Sequence, residues 1–340
     1  MRQDSKTPRV VTIGGGHGQA IVLQALRNLD CRISAVVATA DDGGCSGELR
    51  RQFGMPAPGD LRRCLSALSS DEELSLKLEE RISVSSTLPR CRGNLVIAQR
   101  YLTSGSLQQA VDWVADRMGC VGRVMPASEE SGTLVVCDRW QGFVEGEHNV
   151  TSRVASPLVV TVKGGRRPNE AAIAAIEEAD VVIMGPGSFC TSTLSALLTG
   201  DVGAAVCRCR ARRLLILNLA NGEKPCAGFR ERDFISVLAS HLTICSLGET
   251  PEIASLRHAP LEATEQLEDG TRVFSANIAA GDGVHHCEQR LARALSKIAD
   301  IPVRTRQATP LAQTSSAGRS ELEQALAHAQ DVLDIESARR

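Results

Sequence analysis

The sequence predicts an α/β protein built on a doubly wound, mostly parallel sheet with a small antiparallel β insertion. Three observations carry that reading. Residues 8–18, P-R-V-V-T-I-G-G-G-H-G, pass from an apolar strand through a glycine turn into a helical segment. Further apolar, β-branched runs follow at 33–39, 179–184 and 214–217, continuous enough to be strands buried on both faces. Residues 132–165 then break the rhythm with short alternating stretches and glycine turns, the pattern of antiparallel hairpins. The expected organisation is a single Rossmann-like domain over 1–303, with its insertion at about 131–165, and a polar linker with a short amphipathic helix over 304–340.

The composition narrows the function classes. With 340 residues the chain is long enough for a sizeable core, and 43% hydrophobic and 23% charged residues are ordinary for a globular protein. A net charge of −2 supplies no field toward nucleic acid or a membrane surface, and 3% aromatics leave little for base stacking. No apolar run reaches the roughly 20 residues of a membrane span, and M-R-Q-D-S-K-T-P lacks the apolar core of a signal peptide. The expected location is cytoplasmic. The twelve cysteines form no C-x-x-C, so they read as small buried residues in a reducing compartment.

The elements follow in order. The strand Val10–Ile13 meets Gly14, Gly15, Gly16, His17 and Gly18, and a helix covers Gln19–Leu29. Residues without Cβ let the backbone approach a ligand, and the helix start aims unpaired N–H groups at it, so a phosphate is the natural occupant. The G-x-G-x-x-G fingerprint fails in all three frames and there is no G-K-[ST], which weakens a nicotinamide dehydrogenase and removes a Walker P-loop. The strand Ile33–Thr39 ends in A-D-D-G-G-C-S-G, which places Asp41, Asp42, Gly43, Gly44 and Ser46 where open sheets bind ligands. The paired aspartates suit ribose hydroxyls or a hard cation such as Mg²⁺; capping of a helix near Ser46 is their plainer use.

Pro58–Gly59 closes the preceding helix, and Asp60 falls at the N-cap of one whose buried face is Leu61, Cys64, Leu65 and Leu68. Arg62 and Arg63 in its first turn oppose the helix dipole, so they face either solvent or a phosphate. Residues 71–80 read as an exposed charged helix without chemistry, Cys91–Asn94 opens a helix to Tyr101, Ser106 caps Leu107–Met118, and 119–130 reads as a loop. In the insertion, Glu145 and Glu147 share one face of a strand. A helix Asn169–Glu178 and a strand Ala179–Met184 lead to G-P-G-S-F-C-T-S-T, a second glycine turn that offers Gly185, Gly187, Ser188 and Thr191 to a ligand. A helix Asp201–Ala211 precedes the strand Leu214–Leu217, which ends at Asn218; a helix Glu231–Ser240, a strand near Leu242–Leu247 and a helix after His285 and His286 follow. In the tail, Leu322, Leu326, Ala329 and Leu333 mark an apolar stripe that needs a partner.

The ordered set G-G-G-H-G at 14–18, A-D-D-G-G-C-S-G at 40–47, A-P-G-D-L-R at 57–62, G-N-L at 93–95, E-G-E-x-N at 145–149, E-A-D-V-V-I-M-G-P-G-S-F-C-T-S at 178–192 and the strand ending in Asn218 resembles the YvcK-like gluconeogenesis factor family. That family shares its fold with the CofD-type 2-phospho-L-lactate transferase. Where the transferase continues its A-D-D with aromatic residues and histidine, this chain has G-G-C-S-G. The resemblance implies a cytoplasmic protein that binds a nucleotide sugar, UDP-N-acetylglucosamine, and is linked to carbon metabolism, wall synthesis and cell shape. On this reading the glycine turns hold a diphosphate, Asp41 or Asp42 reads a sugar or ribose, Asn218 contacts base or sugar, Arg62 and Asn94 belong to the same site, and no cofactor is required. The alternative is a transferase of a phosphate-linked group, in which Asp41, Asp42 and Asp60 hold Mg²⁺ against a phosphate. His17, Gln19, Cys45 and Ala57 depart from the family's commoner residues. The expected partner is a nucleotide sugar or another diphosphate-containing small molecule. Nucleic acid and a membrane span are not expected, and there is room for a homo-oligomer or for a regulatory protein reached through the C-terminal tail.

Overall fold

The structure is a computed structural model that describes residues 7–82, 89–154, 157–219, 224–246, 251–267, 270–304 and 315–329. β1 (Arg9–Gly14) leads into α1 (Gly16–Leu26), then β2 (Arg32–Val37), α2 (Gly44–Phe53), α3 (Gly59–Leu68) and α4 (Glu72–Glu79). A short antiparallel pair, β3 (Arg81–Ile82) and β4 (Arg90–Cys91), precedes α5 (Arg92–Ser104), α6 (Leu107–Arg117) and β5 (Gly122–Pro126). The insertion is β6 (Gly132–Asp138), β7 (Gly142–Glu145), α7 (Glu147–Arg153) and β8 (Pro157–Gly164), an antiparallel sheet in the order β7-β6-β8.

The parallel rhythm resumes with α8 (Glu170–Glu177) and β9 (Val181–Met184), a π-helical turn Phe189–Leu194 running into α9 (Ser195–Leu197), then α10 (Val202–Arg208) and β10 (Arg212–Ile216). The closing elements are α11 (Glu231–Ser246), β11 (Ala254–His258), β12 (Ala263–Gln266), β13 (Arg272–Ala276), α12 (Glu288–Ala299) and α13 (Ser316–Ala327).

The main sheet runs β12-β13-β11-β10-β9-β1-β2-β5, and every pairing is parallel except that of β12 with β13. The chain winds from β1 out to β5 on one side and from β9 out to β13 on the other. The winding therefore reverses between β1 and β9, where such sheets open a crevice beyond the strands' carboxyl ends. Side chains alternate across β1: Val10 joins Leu23, Leu26, Leu61 and Leu295 on one face, while Val11 and Ile13 join Leu134, Val182, Leu197 and Leu238 on the other. Gln19 is fully buried between β1 and β2, where its Nε2 donates to Thr12 O (3.2 Å), Thr12 Oγ1 (3.0 Å) and Val36 O (3.1 Å). That is a satisfied polar contact inside the core.

Several expectations change. α1 starts at Gly16, so Gly16, His17 and Gly18 form its first turn. Residues 122–126, read as loop, are edge strand β5; a five-residue strand ending in proline carries too little alternation to show. The apolar run at 242–246 is the end of α11, and the strand comes later, at Ala254–His258. Leu333 lies outside the described residues. α13 packs Leu322, Leu326 and Ala329 into the core beside α4, α5 and α6, so the body of the protein is the partner of its apolar stripe. Its polar side pairs Arg319 with Asp71 and Glu73, Glu323 with Lys77 (2.9 Å) and Glu321 with Arg117 (2.6 Å). No single helix among the described residues is long and apolar enough to cross a membrane.

Candidate functional site

Three loops meet beyond the carboxyl ends of β1, β2 and β9. The first is the entry to α1. A Cβ on Gly18 would sit 2.2 Å from the Pro186 carbonyl oxygen and 2.7 Å from Gly187 Cα, so only glycine lets this turn lie against the second glycine loop. Gly187 in that second loop has φ +127°, a conformation that L side chains rarely adopt. Asn218, at the end of β10, holds it from both sides: Gly187 N–H donates to Asn218 Oδ1 (2.8 Å) and Asn218 Nδ2 donates to Gly187 O (2.9 Å). Asn218 therefore shapes the loop, with one amide hydrogen left over, and is not a free ligand contact. Ser188 caps the next turn by accepting from Thr191 N–H (3.3 Å).

The loop after β2 forms the other wall. Asp41 Oδ1 accepts from Gly43 N–H (2.9 Å), and the Ser46 hydroxyl also donates to this carboxylate. Gly44 begins α2 with open space where a Cβ would stand. Arg50 Nη1 donates to the carbonyls of Ala40 (2.6 Å) and Asp41 (3.0 Å), and its Nη2 to Gly132 O (2.6 Å), which ties this loop to the insertion. Asp42 makes a second tie, accepting from His148 N–H (3.1 Å) at the start of α7. α3 closes the gap: a Cβ on Gly15 would lie 2.3 Å from Asp60 Oδ2 and 3.4 Å from Ser192 Cβ, and one on Gly59 would lie 2.4 Å from Ser46 Oγ and 3.8 Å from Asp41 Oδ2.

Asp60 is thus not an N-cap; Pro58 holds that place, and Asp60 in the first turn accepts from Arg63 Nη1 (2.8 Å). Glu145 and Glu147 do not share a strand face, because Gly146 at φ +89° breaks the chain between them. Glu145 ends β7, whereas Glu147 opens α7 and turns toward the cleft, where the Thr191 hydroxyl donates to it. Burial, with the charges of Asp41 and Asp60 added, pushes the Glu147 carboxyl up to about 9. Burial also raises Asp41, with Asp60 and Asp42 contributing. His17 is lowered by burial and by the Arg63 guanidinium. With its carboxyl raised in this way, Glu147 holds its proton at neutral pH, beside the backbone N–H groups of the first turn of α1.

Two expected ligand contacts lie one layer behind. Arg62 is buried and grips Glu79 with two nitrogens, Nε to Oε1 and Nη2 to Oε2, both at 3.0 Å; its Nη1 donates to Asn94 Oδ1 (2.8 Å). Asn94 in turn donates to Cys45 Sγ (3.3 Å), under the first turn of α2. Both side chains support the Asp41–Ser46 loop rather than face a ligand, and the helix carrying Glu79 is not inert. Nor do Asp41, Asp42 and Asp60 stand as a metal centre: among the described residues no group of three or more His, Cys, Asp or Glu is placed to hold an ion. Each of the three aspartates is already engaged by an N–H, a hydroxyl or a guanidinium. Sequence reasoning missed Arg50; it singled out Glu147, but as one of a pair on a strand face, and the glycine before it, inside E-G-E-x-N, was the signal that the strand ends there.

Comparison with known proteins agrees with this architecture. Residues 10–280 match the family described as 2-phospho-L-lactate transferase CofD. A relative from Thermotoga maritima, named "Putative gluconeogenesis factor", is 35% identical over 239 residues, which is 69% of this chain and 75% of that protein. The gluconeogenesis factor of Halalkalibacterium halodurans is 31% identical over 252 residues, 73% of this chain and 77% of that one. The crystal structure of a UPF0052 family member from Bacillus halodurans superposes with a TM-score of 0.76 at 25% identity, covering 85% of this chain and 99% of its own. With the glycine turns, the paired aspartates and the Gly-Pro-Gly-Ser loop all on one crevice, the chain belongs to the CofD family, on the branch of the gluconeogenesis factors.

Proposed function

We propose that the crevice binds a nucleotide sugar of the UDP-N-acetylglucosamine type, and that the protein acts as a cytoplasmic regulator linking carbon metabolism to wall synthesis and cell shape. One observation carries the reading: the entry of α1 and the loop Gly185–Ser188 abut so closely that Gly18 has no room for a Cβ, at the point where the winding of the sheet reverses. The unpaired backbone N–H groups of the first turn of α1 then face a diphosphate, the Gly185–Ser188 loop closes against that turn, and Glu147 and Asp41 supply hydrogen-bonding carboxyls for hydroxyls beside it. Titration calorimetry tests this. UDP-N-acetylglucosamine should bind in a one-to-one ratio, unchanged by EDTA and without turnover, and no measurable heat would count against it.

The match to the transferase family favours a second reading, transfer of a phosphate-linked group. The aspartates do not form an ion site by themselves, so Mg²⁺ would have to arrive with the phosphate it neutralises; such ions need only one or two protein carboxylates. A product peak that depends on Mg²⁺ and on a phosphate-linked donor would select this reading over the first.

A further inference from the structure

We propose that a cavity of about 530 Å³ beside α1 takes a nucleobase, and that Gln24 reads the hydrogen-bonding edge of that base. This deepens the reading of the crevice as a nucleotide site and rests on it. The cavity is built on one helix face: His17, Ala20, Ile21 and Gln24 succeed one another at intervals of three, one and three residues and line one wall. The opposite face of α1, with Val22, Leu23, Ala25 and Leu26, is sealed in the core, so this face is left for something else. Pro186 and Leu219 add apolar surface, and Val284 and His286 form the far wall.

The position specifies the chemistry. One end of the cavity is the first turn of α1 and Gly187, the proposed diphosphate site. Its other end is Gln24, seven residues along the helix, or roughly 10 Å at 1.5 Å per residue. A nucleoside attached to a phosphate at the helix start would run along this wall with its ring against Ala20 and Ile21. Gln24 is half-buried, and its carboxamide makes no hydrogen bond among the described residues. Its adjacent acceptor and donor match a base edge that sets an N–H beside a carbonyl, as uracil does, or an amine beside a ring nitrogen, as adenine does. His17 lines the cavity and also feels the charges of Asp60 and Arg63, so the carboxylate cluster begins where the cavity ends. The base would lie on the His17–Gln24 side of the phosphates and the sugar or acceptor on the Asp41–Glu147 side.

Calorimetry on the full chain with UDP, ADP and pyrophosphate tests the assignment. Wild type should bind UDP or ADP at least tenfold more tightly than pyrophosphate. Ile21→Trp, which fills the cavity, should lose that advantage while its pyrophosphate affinity stays within twofold. Gln24→Leu, at a helix position that tolerates leucine, should weaken UDP and ADP binding by threefold or more while its pyrophosphate affinity stays within twofold. Ile21→Trp and Gln24→Leu proteins of wild-type circular dichroism that bind nucleotides as wild type does would overturn the proposal. Wild type binding pyrophosphate and UDP equally well would overturn it too, while leaving the diphosphate reading in place; wild type binding none of the three probes would overturn both.

Discussion

Glu147 holds a proton that the unfolded chain releases. Its ordinary value is 4.5 and burial carries it to about 9, so between those values the folded state binds the extra proton and stability falls as pH rises. Glu147→Gln removes the titrating group and keeps the shape. It should raise Tm at pH 8 by about 3 °C or more, with the difference fading as pH falls toward 4.5, measured by thermal melts across that range. The Arg62 network predicts an asymmetry. Glu79→Ala strands a buried guanidinium and should cost about 3 kcal/mol in urea unfolding, whereas Arg62→Ala leaves a carboxylate that is 40% exposed and can rehydrate, so it should cost less. Equal losses would mean that the pair is not the buried charge problem described. Neither Glu147 nor Arg62 was legible in its role. Two glutamates two residues apart read as charges on one exposed strand face, and an arginine in a first turn gives no hint that a glutamate on the next helix will reach it.

At the scale of elements, α13 is tied on by both chemistries. Leu322 and Leu326 are buried, and burying a leucine contributes roughly 1.5–3 kcal/mol, while its ion pairs are partly exposed and contribute little. A chain ending after Arg304 should therefore lose several degrees in Tm, by nearly the same amount in low and high salt. A loss confined to low salt would show that the charges hold α13 in place. The stripe that binds it was readable from periodicity, because leucines three and four apart on a polar helix leave few alternatives. Strand β5 and the end of α11 were not. Five residues closing in proline look like a loop, and Leu242–Ser246 is rich in residues that suit either a strand or a packed helix, so tertiary packing decided.

For the whole molecule, binding and stability are linked. A ligand at a hundred times its Kd should add about 2.7 kcal/mol to unfolding, seen as a rise in Tm with UDP-N-acetylglucosamine. Gly18→Ala, whose new methyl would press on Pro186, should fold less stably, by about 1–3 kcal/mol, and should lose that rise. A Gly18→Ala protein that keeps the full rise would separate the ligand from the glycine turns. The doubly wound order and the place of the crevice were the most legible features, because a strand, a glycine turn and a helix start in succession have few other solutions. What composed the cleft from distant loops depended on contacts such as Asp42 with His148, which no local pattern encodes.

The central position of β1 has a consequence for synthesis. β1 is paired on one side with β2, made soon after it, and on the other with β9, made about 170 residues later, so Val10 waits for Val181 to emerge. Until then the nascent chain must carry an apolar strand with one open edge, which is the state that invites misassembly and chaperone capture. Translation pauses before residue 181 should therefore expose that edge longest, and stalled chains of this length should be the most prone to aggregate.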